Sequence, residues 1–225
     1  MRRRSLLVLP LLVPLPALAQ DRPLAAAPAP SNKPPPPLDQ AALIAQAEAA
    51  LLSMPAFQAR FQENSGPTSV AQGRIWMARG RIRVEYDPPS RQLLIASHGQ
   101  VIYHDPILRS SFHLPASSTP LGPLLQDPPR LADPSLLVQE IRRQPGLLRV
   151  RVAQAQRPYD GSVEVLFEER SAALSLIGWN VRDAQGREIA VRLAEIRPLA
   201  EPHRHLFTFL DPNTFGPDAN FQVPR

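Results

Sequence analysis

The chain contains no cysteine in its 225 residues. This absence excludes disulfide frameworks, thiolate metal sites and cysteine nucleophiles. The residue after the predicted leader cleavage site is Gln20, so lipid cannot be attached there by the bacterial lipoprotein route. The absence of thiols does not distinguish between an oxidising and a reducing compartment.

The chain also has little net charge once its first residues are set aside. The formal charge is +5, and Arg2, Arg3 and Arg4 lie in a segment that we predict is removed, which leaves +2. Nucleic-acid-binding proteins carry a clustered basic face. We therefore expect no nucleic-acid partner.

Motifs that carry common enzyme chemistry are missing. There is no G-x-G-x-x-G or Walker pattern, no G-x-S-x-G or S-x-x-K, and no H-E-x-x-H. His203 and His205 could share one strand face, but a catalytic zinc site needs three protein ligands. A hydrolase would need a Ser, a His and an Asp that only the fold brings together. We expect no enzyme activity, no metal and no cofactor.

Proline, in contrast, is abundant, and 10 of the 28 prolines precede Leu38. Met1–Arg4 is positively charged, Leu6–Leu18 is apolar, and Ala17-Leu18-Ala19 is a small-x-small cleavage site, which together predict a secretory signal peptide. The apolar run is shorter than the ~20 residues of a transmembrane helix. We predict cleavage after Ala19, a Pro/Ala-rich linker over residues 20–37 and a single domain over residues 38–225.

The domain begins with one helical pattern and continues with strand patterns. Asp39 is placed to cap a helix that runs to about Met54, where Pro55 ends it. Polar and apolar residues then alternate, most regularly in Arg81–Tyr86, so one face of that strand should be buried. Similar alternation occurs in Phe57–Phe61, Val101–His104, Phe112–Leu114, Leu148–Val152, Val163–Phe167, Ile189–Leu193 and Leu206–Leu210. Two helical pieces are predicted, near Pro120–Leu125 and Pro134–Gln144.

Turn residues separate the predicted strands. They are Asp87–Pro89, Asp105-Pro106, Pro158–Gly161 and Asp183–Gly186. Short strands at this spacing, joined by tight turns, predict one antiparallel sheet that curls into a barrel or half-barrel.

An ordered set of motifs carries a resemblance to a known family. The motifs are Phe57-x-Ala-x-Phe61-x-Glu63, Gly73–Met77, Arg81–Pro89, His98–Gln100 with Tyr103–Pro106, Thr119–Leu121, Gly178–Gly186 and Phe207–Pro212. Together they resemble the LolA family of periplasmic carriers, which transfer lipoproteins to the outer membrane of Gram-negative bacteria. The chain departs from the family pattern where Gly80 directly follows Arg79 without the usual proline, and where Ile82 and Val84 replace two aromatic residues.

The resemblance implies an α+β, mostly β fold: an incomplete antiparallel barrel with helices over its concave face. It implies a monomeric periplasmic carrier that takes lipoproteins from an inner-membrane ABC transporter of the LolCDE type and passes them to an outer-membrane LolB-type receptor. The acyl chains would lie in an apolar cavity lined by Phe57, Phe61, Trp76, Ile82, Val84, Tyr86, Val101 and Tyr103. Arg79 matches the family's gating arginine best, and we expect it to bond carbonyls of residues 120–144.

Two other interpretations remain open. An alternating apolar face is also what any β domain needs for its core. A periplasmic half-barrel regulator similar to RseB would bind a protein partner and no lipid cargo. Such regulators usually have an additional C-terminal domain, and we expect none here because the chain ends at Arg225, soon after its last predicted strand.

Overall fold

The computed structural model describes residues 39–171, 173–203 and 205–221, so the predicted signal peptide and linker lie outside the described residues. The first element, α1 (Gln40–Ser53), starts where the sequence predicts, because the Asp39 carboxylate accepts a hydrogen bond from the amide of Ala42 at 3.2 Å. Leu43, Ala47 and Leu51 form its buried side. None of the helices in the described ranges has the length and apolar character needed to cross a bilayer.

Strands make up most of the described chain. They are β1 (Phe57–Asn64), β2 (Val70–Ala78), β3 (Arg81–Tyr86), β4 (Leu93–Ser97), β5 (Gln100–Asp105), β6 (Ser110–Pro115), β7 (Leu136–Gln144), β8 (Leu147–Gln154), β9 (Arg157–Arg170), β10 (Ala173–Asp183) and β11 (Glu188–Pro198). They form one antiparallel sheet in the order β6-β5-β4-β3-β2-β1-β11-β10-β9-β8-β7. Because β6 and β7 do not pair, the sheet stays open, and the predicted half-barrel is confirmed.

The two faces of the sheet differ in what covers them. We call the face that packs against α1 the inner face, and it carries the main apolar core together with buried residues of α1. The inner-face residues of the central strands include Phe57, Phe61, Ile75, Met77, Ile82, Val150, Val165, Phe167 and Val191. A second, smaller apolar cluster lies on the outer face and includes Trp76 and Ala78.

The predicted helix at Pro134–Gln144 is wrong, because this segment forms β7. The strand register shifts between Val138 and Glu140, so Val138 and Ile141 both pack against the core although they are three residues apart. Such a bulge gives a strand an apolar spacing that imitates a helix. Pro145-Gly146 forms the turn between β7 and β8.

Two further predictions are wrong. Pro158–Gly161 lies inside β9, and the turn falls at residues 155–156 instead. Leu206–Leu210 is not a strand, because the Leu206 amide bonds the His203 carbonyl at 2.8 Å and the Thr208 amide bonds the His205 carbonyl at 3.0 Å. These are turn bonds. The predicted helical piece at Pro120–Leu125 is a short 3-10 helix over Gly122–Leu125.

The C-terminal segment, residues 199–203 and 205–221, crosses the outer face of the sheet and ends in α2 (Pro212–Phe215) and a 3-10 turn. Leu206 and Phe207 cover Trp76 there. Arg83, fully buried on β3, pairs with Glu85 at 2.7 Å and donates to the carbonyl of Leu206 at 3.2 Å. On the apolar side of β3, Ile82 is buried and Val84 and Tyr86 are partly buried. On its polar side Arg83 and Glu85 are buried as well.

Candidate functional site

Seven of the eight residues predicted to line a cavity share the inner face. Phe57, Phe61, Ile82 and Val101 are buried in the main core, and Val84 and Tyr86 pack against it. Tyr103 is two residues from Val101 on β5, so it points to the same face, opposite Leu94. The structure brings the seven together, and their contact with acyl chains stays a prediction.

Trp76 does not belong to this set. On β2 its neighbours Ile75 and Met77 face the main core, whereas Trp76 is fully buried in the outer cluster beneath the C-terminal segment. Adjacent residues of a strand point to opposite faces, so Trp76 and the inner-face residues cannot line one cavity. Alternation separates Trp76 from Ile75 and Met77, and the β1–β2 register, in which Met77 lies opposite Phe57, assigns Met77 to the inner face.

A loop between β6 and β7 covers the inner face together with α1. We call residues 116–135 the closing loop. Its residues Leu124, Leu125 and Leu131 are buried in the main core, so side chains of the chain itself fill this part of the interior. Its amide at Ala132 donates to the Glu48 carboxylate of α1 at 2.8 Å. The cover is therefore a helix and a loop, joined to each other by a polar contact.

Arg79 lies where this cover meets the sheet. Its Nη2 donates to the carbonyl of Leu52 in α1 at 3.2 Å, and its Nε lies 3.8 Å from Asp127 Oδ1 in the closing loop. The prediction that Arg79 bonds carbonyls of residues 120–144 is therefore wrong. The carbonyl belongs to Leu52 in α1, and the contact within residues 120–144 is to the carboxylate of Asp127. The two charged side chains are 57% and 58% exposed. Arg79 is therefore positioned to hold the sheet, the helix and the loop together.

A glycine allows this close approach. Gly80 has φ of +67°, and a Cβ placed on it would lie 3.0 Å from the Asp127 Cβ. A larger residue would strain the backbone and push the closing loop away. The glycine that breaks the family pattern after Arg79 therefore has a packing reason.

A cleft of about 920 Å³ opens beside Arg79. Its volume lies in the range of small-molecule sites, roughly 300–1,000 Å³. Its polar lining residues are Arg79, Arg81, His98, Ser117, Gln126, Asp127, Ser135, Gln154, Gln156 and Arg157. Apolar residues, among them Ala116, Pro123, Leu125 and Leu136, line the same cleft, so charged and apolar groups lie side by side at the edge of the closing loop.

Glu63 is an inner-face residue that the list of cavity residues missed. It follows Phe57, Ala59 and Phe61 at two-residue spacing, which is the signal that could have found it. The Tyr86 hydroxyl donates to Glu63 Oε2 at 2.6 Å. Burial, and next this hydrogen bond, raise the pKa of the Tyr86 phenol, so it stays a protonated donor. One polar pair thus lies within an otherwise apolar lining.

Phe112 and Leu114 on β6 were also missed as site residues. They lie opposite Tyr103 and Val101 in the β5–β6 register, so they belong to the inner face. Phe112 is 58% exposed and Leu114 is 37% exposed. The apolar inner face therefore reaches solvent along the β6 edge of the sheet.

The family model of the outer membrane lipoprotein carrier protein LolA matches residues 54–210. The chain belongs to the LolA family. The matched part of this LolA-family chain includes every predicted cavity residue, Arg79 and the whole closing loop, whereas α1 and residues 211–221 lie outside it. No curated protein matches the chain.

Solved structures with a similar fold are distant in sequence. The LolA superfamily protein NE2245 from Nitrosomonas europaea is 10% identical with a TM-score of 0.46, and the match covers 75% of this chain and 97% of that one. A conserved protein from Thermus thermophilus is 12% identical with a TM-score of 0.45, covering 76% and 93%. MucB in complex with MucA(peri) is 13% identical with a TM-score of 0.39, covering 76% and 60%.

Proposed function

We propose that this LolA-family protein is a periplasmic carrier that shields the acyl chains of lipoproteins on its way from the inner to the outer membrane. The observation that carries the proposal is an apolar inner face on an open sheet, covered by a helix and a loop whose polar contacts at Arg79 are exposed. A cover of this kind can move while the hydrogen-bonded sheet stays intact.

The energetics of lipid transfer require such shielding. Each methylene group removed from water contributes about 0.8 kcal/mol, and the acyl chains of a lipoprotein carry tens of methylenes. Free diffusion of these chains through water is therefore opposed by tens of kcal/mol. A carrier must cover them, and it must also release them, so its site should be apolar without being selectively tight.

The same scale describes how the cover could open. Exposing Leu124, Leu125 and Leu131 costs about 1.5–3 kcal/mol for each side chain. Acyl chains that enter the interior would bury the apolar surface those leucines leave, which offsets this cost. The exposed ion pair of Arg79 with Asp127 is worth only about 0–1 kcal/mol, so apolar contacts supply most of the free-energy difference between the closed and open forms and Arg79 adjusts it.

Two membrane partners follow from this role. Loading needs an energy source at the inner membrane, which we assign to an ATP-driven complex of the LolCDE type. Unloading needs a better acceptor at the outer membrane, which we assign to a LolB-type receptor. The predicted signal peptide would deliver the chain to the compartment between them.

Isolation of the exported protein tests the proposal. The chain is produced with its own leader in a Gram-negative host, purified from periplasm, and analysed by mass spectrometry for triacylated lipoproteins. A known LolA carrier treated in parallel serves as the positive control. We expect lipoproteins to accompany both proteins. If only the known carrier retains them, the carrier role is rejected and a regulator that binds a protein partner becomes the better interpretation.

A further inference from the structure

The outer edge of β6 carries free backbone groups. Within the described ranges, β6 ends the sheet and pairs only with β5. The amide of Ala116 donates to the carbonyl of Gly99 at 2.8 Å, which continues the β5–β6 register by one step. Hydrogen-bonded and non-hydrogen-bonded pairs alternate in an antiparallel ladder. The backbone groups of Ser111 and His113 therefore point away from the sheet.

The other edge of the sheet is protected, and this one is not. β7 has a bulge after Val138 and carries Glu140, Arg142 and Arg143, which are devices that block edge pairing. β6 has an unbroken register with β5 and contains no charged residue. Its proline, Pro115, stands at its last position. An added strand can therefore pair with β6 and is discouraged at β7.

The β6 edge also adjoins the apolar interior. Phe112 and Leu114 extend the inner-face row formed with Tyr103 and Val101, and both are partly in water. A chain tethered to acyl groups inside the half-barrel would pass these side chains as it leaves. The apolar row and the free backbone groups thus lie on the same strand.

We propose that the β6 edge pairs with the peptide segment that directly follows the lipidated residue of a cargo lipoprotein. The proposal rests on the proposed carrier function. Main-chain pairing does not depend on the side chains of the added peptide, which suits a carrier with many cargoes. The uncharged edge accepts a peptide of either charge without repulsion.

Two lipopeptide probes test the pairing. One is a triacylated cysteine that carries a neutral six-residue peptide, and the other is the same molecule with alternate peptide nitrogens methylated. Methylation removes main-chain donors and leaves the acyl chains unchanged. We expect the mature protein to bind the unmethylated probe about tenfold more tightly, as two net hydrogen bonds allow.

A matched pair of variants locates the effect. Ser111→Pro removes the outward amide of Ser111, and prolines are tolerated on edge strands. Ser111→Ala keeps the amide and loses only the hydroxyl, which lies 3.0 Å from His104 Nδ1. We expect the affinity for the unmethylated probe to fall about threefold in Ser111→Pro, which loses one main-chain donor to a peptide carbonyl, and to be unchanged in Ser111→Ala. If Ser111→Pro does not fold, the two probes on the unaltered protein still decide.

The outcomes separate this proposal from the carrier function. Equal affinity of both probes for the unaltered protein overturns the pairing and leaves the carrier function standing. Binding of neither probe overturns the carrier function itself. If Ser111→Pro changes the oligomeric state in light scattering but not the affinity for the unmethylated probe, the edge serves a second copy of the chain, and the proposal is wrong.

Discussion

Arg79 Nε lies 3.8 Å from Asp127 Oδ1, and the same guanidinium donates to the carbonyl of Leu52 at 3.2 Å. One side chain from the β2–β3 turn thereby contacts both parts of the cover over the inner face. Because the pair is largely exposed, it contributes little to global stability. Its effect should be on the opening of the cover.

Replacing Arg79 by leucine tests whether this residue affects the opening of the cover and not global stability. We expect Arg79→Leu to change the free energy of unfolding by less than about 1 kcal/mol. Arg79 stabilises the empty closed form, which favours release of cargo. Because the variant lacks this contact, we also expect it to slow transfer of bound lipoprotein to a LolB-type receptor. Transfer is measured with purified carrier and receptor, with Arg79→Lys as the charge-retaining control. Unchanged transfer in Arg79→Leu would reject a role in gating.

Arg83 should matter for stability instead. The Arg83→Met variant removes the guanidinium that pairs with buried Glu85 and donates to the carbonyls of Leu206 and Asn220. Leaving a buried carboxylate without its cation costs about 3–5 kcal/mol. We expect a loss of that size in urea unfolding, with part of it restored by the double change Arg83→Met with Glu85→Leu. A loss under about 1 kcal/mol would show that the C-terminal segment is held by other contacts.

Gly73 should tolerate no side chain. It lies opposite Phe61 in the β1–β2 register, and a Cβ there would be 2.5 Å from Phe61 Cε1 and closer still to the Glu85 carbonyl oxygen. We expect Gly73→Ala to destabilise the domain by about 1–3 kcal/mol, as overpacking does. Thermal unfolding measures the loss, and Gln72→Ala, at an exposed neighbouring position, is the control. Equal melting of the two variants would contradict the packing described.

Asp87 gives a pH dependence. Arg60 donates two hydrogen bonds to it, at 3.2 and 2.5 Å, and these lower the pKa of the Asp87 carboxyl. A carboxyl whose pKa is lower in the folded state stabilises the fold above its unfolded pKa of about 3.9, and this contribution disappears as pH falls through the folded pKa. We expect Asp87→Asn to lower the free energy of unfolding at pH 7 by under about 1 kcal/mol relative to the unaltered protein. The difference should shrink as pH falls and vanish below the folded pKa of Asp87. If the two proteins still differ in the free energy of unfolding at that low pH, the difference does not come from the charge of Asp87.

The sequence predicted the regular elements well where local chemistry decides. The Asp39 cap and Pro55 bound α1, and strict alternation located β3. It failed at β7 because one bulged residue changes the apolar spacing. It failed at Leu206–Leu210 because that segment is organised by Arg83, a residue more than a hundred positions earlier. No local pattern records such a contact.

The candidate site divides along the same line. Two-residue spacing places seven predicted residues on one face, and the same rule, applied from Met77, moves Trp76 to the other. The partners of Arg79 could not be predicted, because they depend on how the closing loop and α1 lie over the sheet.

A covalent lock on the cover tests the central claim most directly. A Cβ at Gly80 lies 3.0 Å from that of Asp127, about half an ångström less than a disulfide needs. The shift of the closing loop that any side chain at Gly80 requires therefore brings Gly80→Cys and Asp127→Cys to bonding distance. The chain has no other cysteine to interfere. Uptake of a fluorescent acylated probe is compared before and after reduction, with each single variant as control. The account predicts background uptake when oxidised and full uptake when reduced, and equal uptake in both states would contradict it.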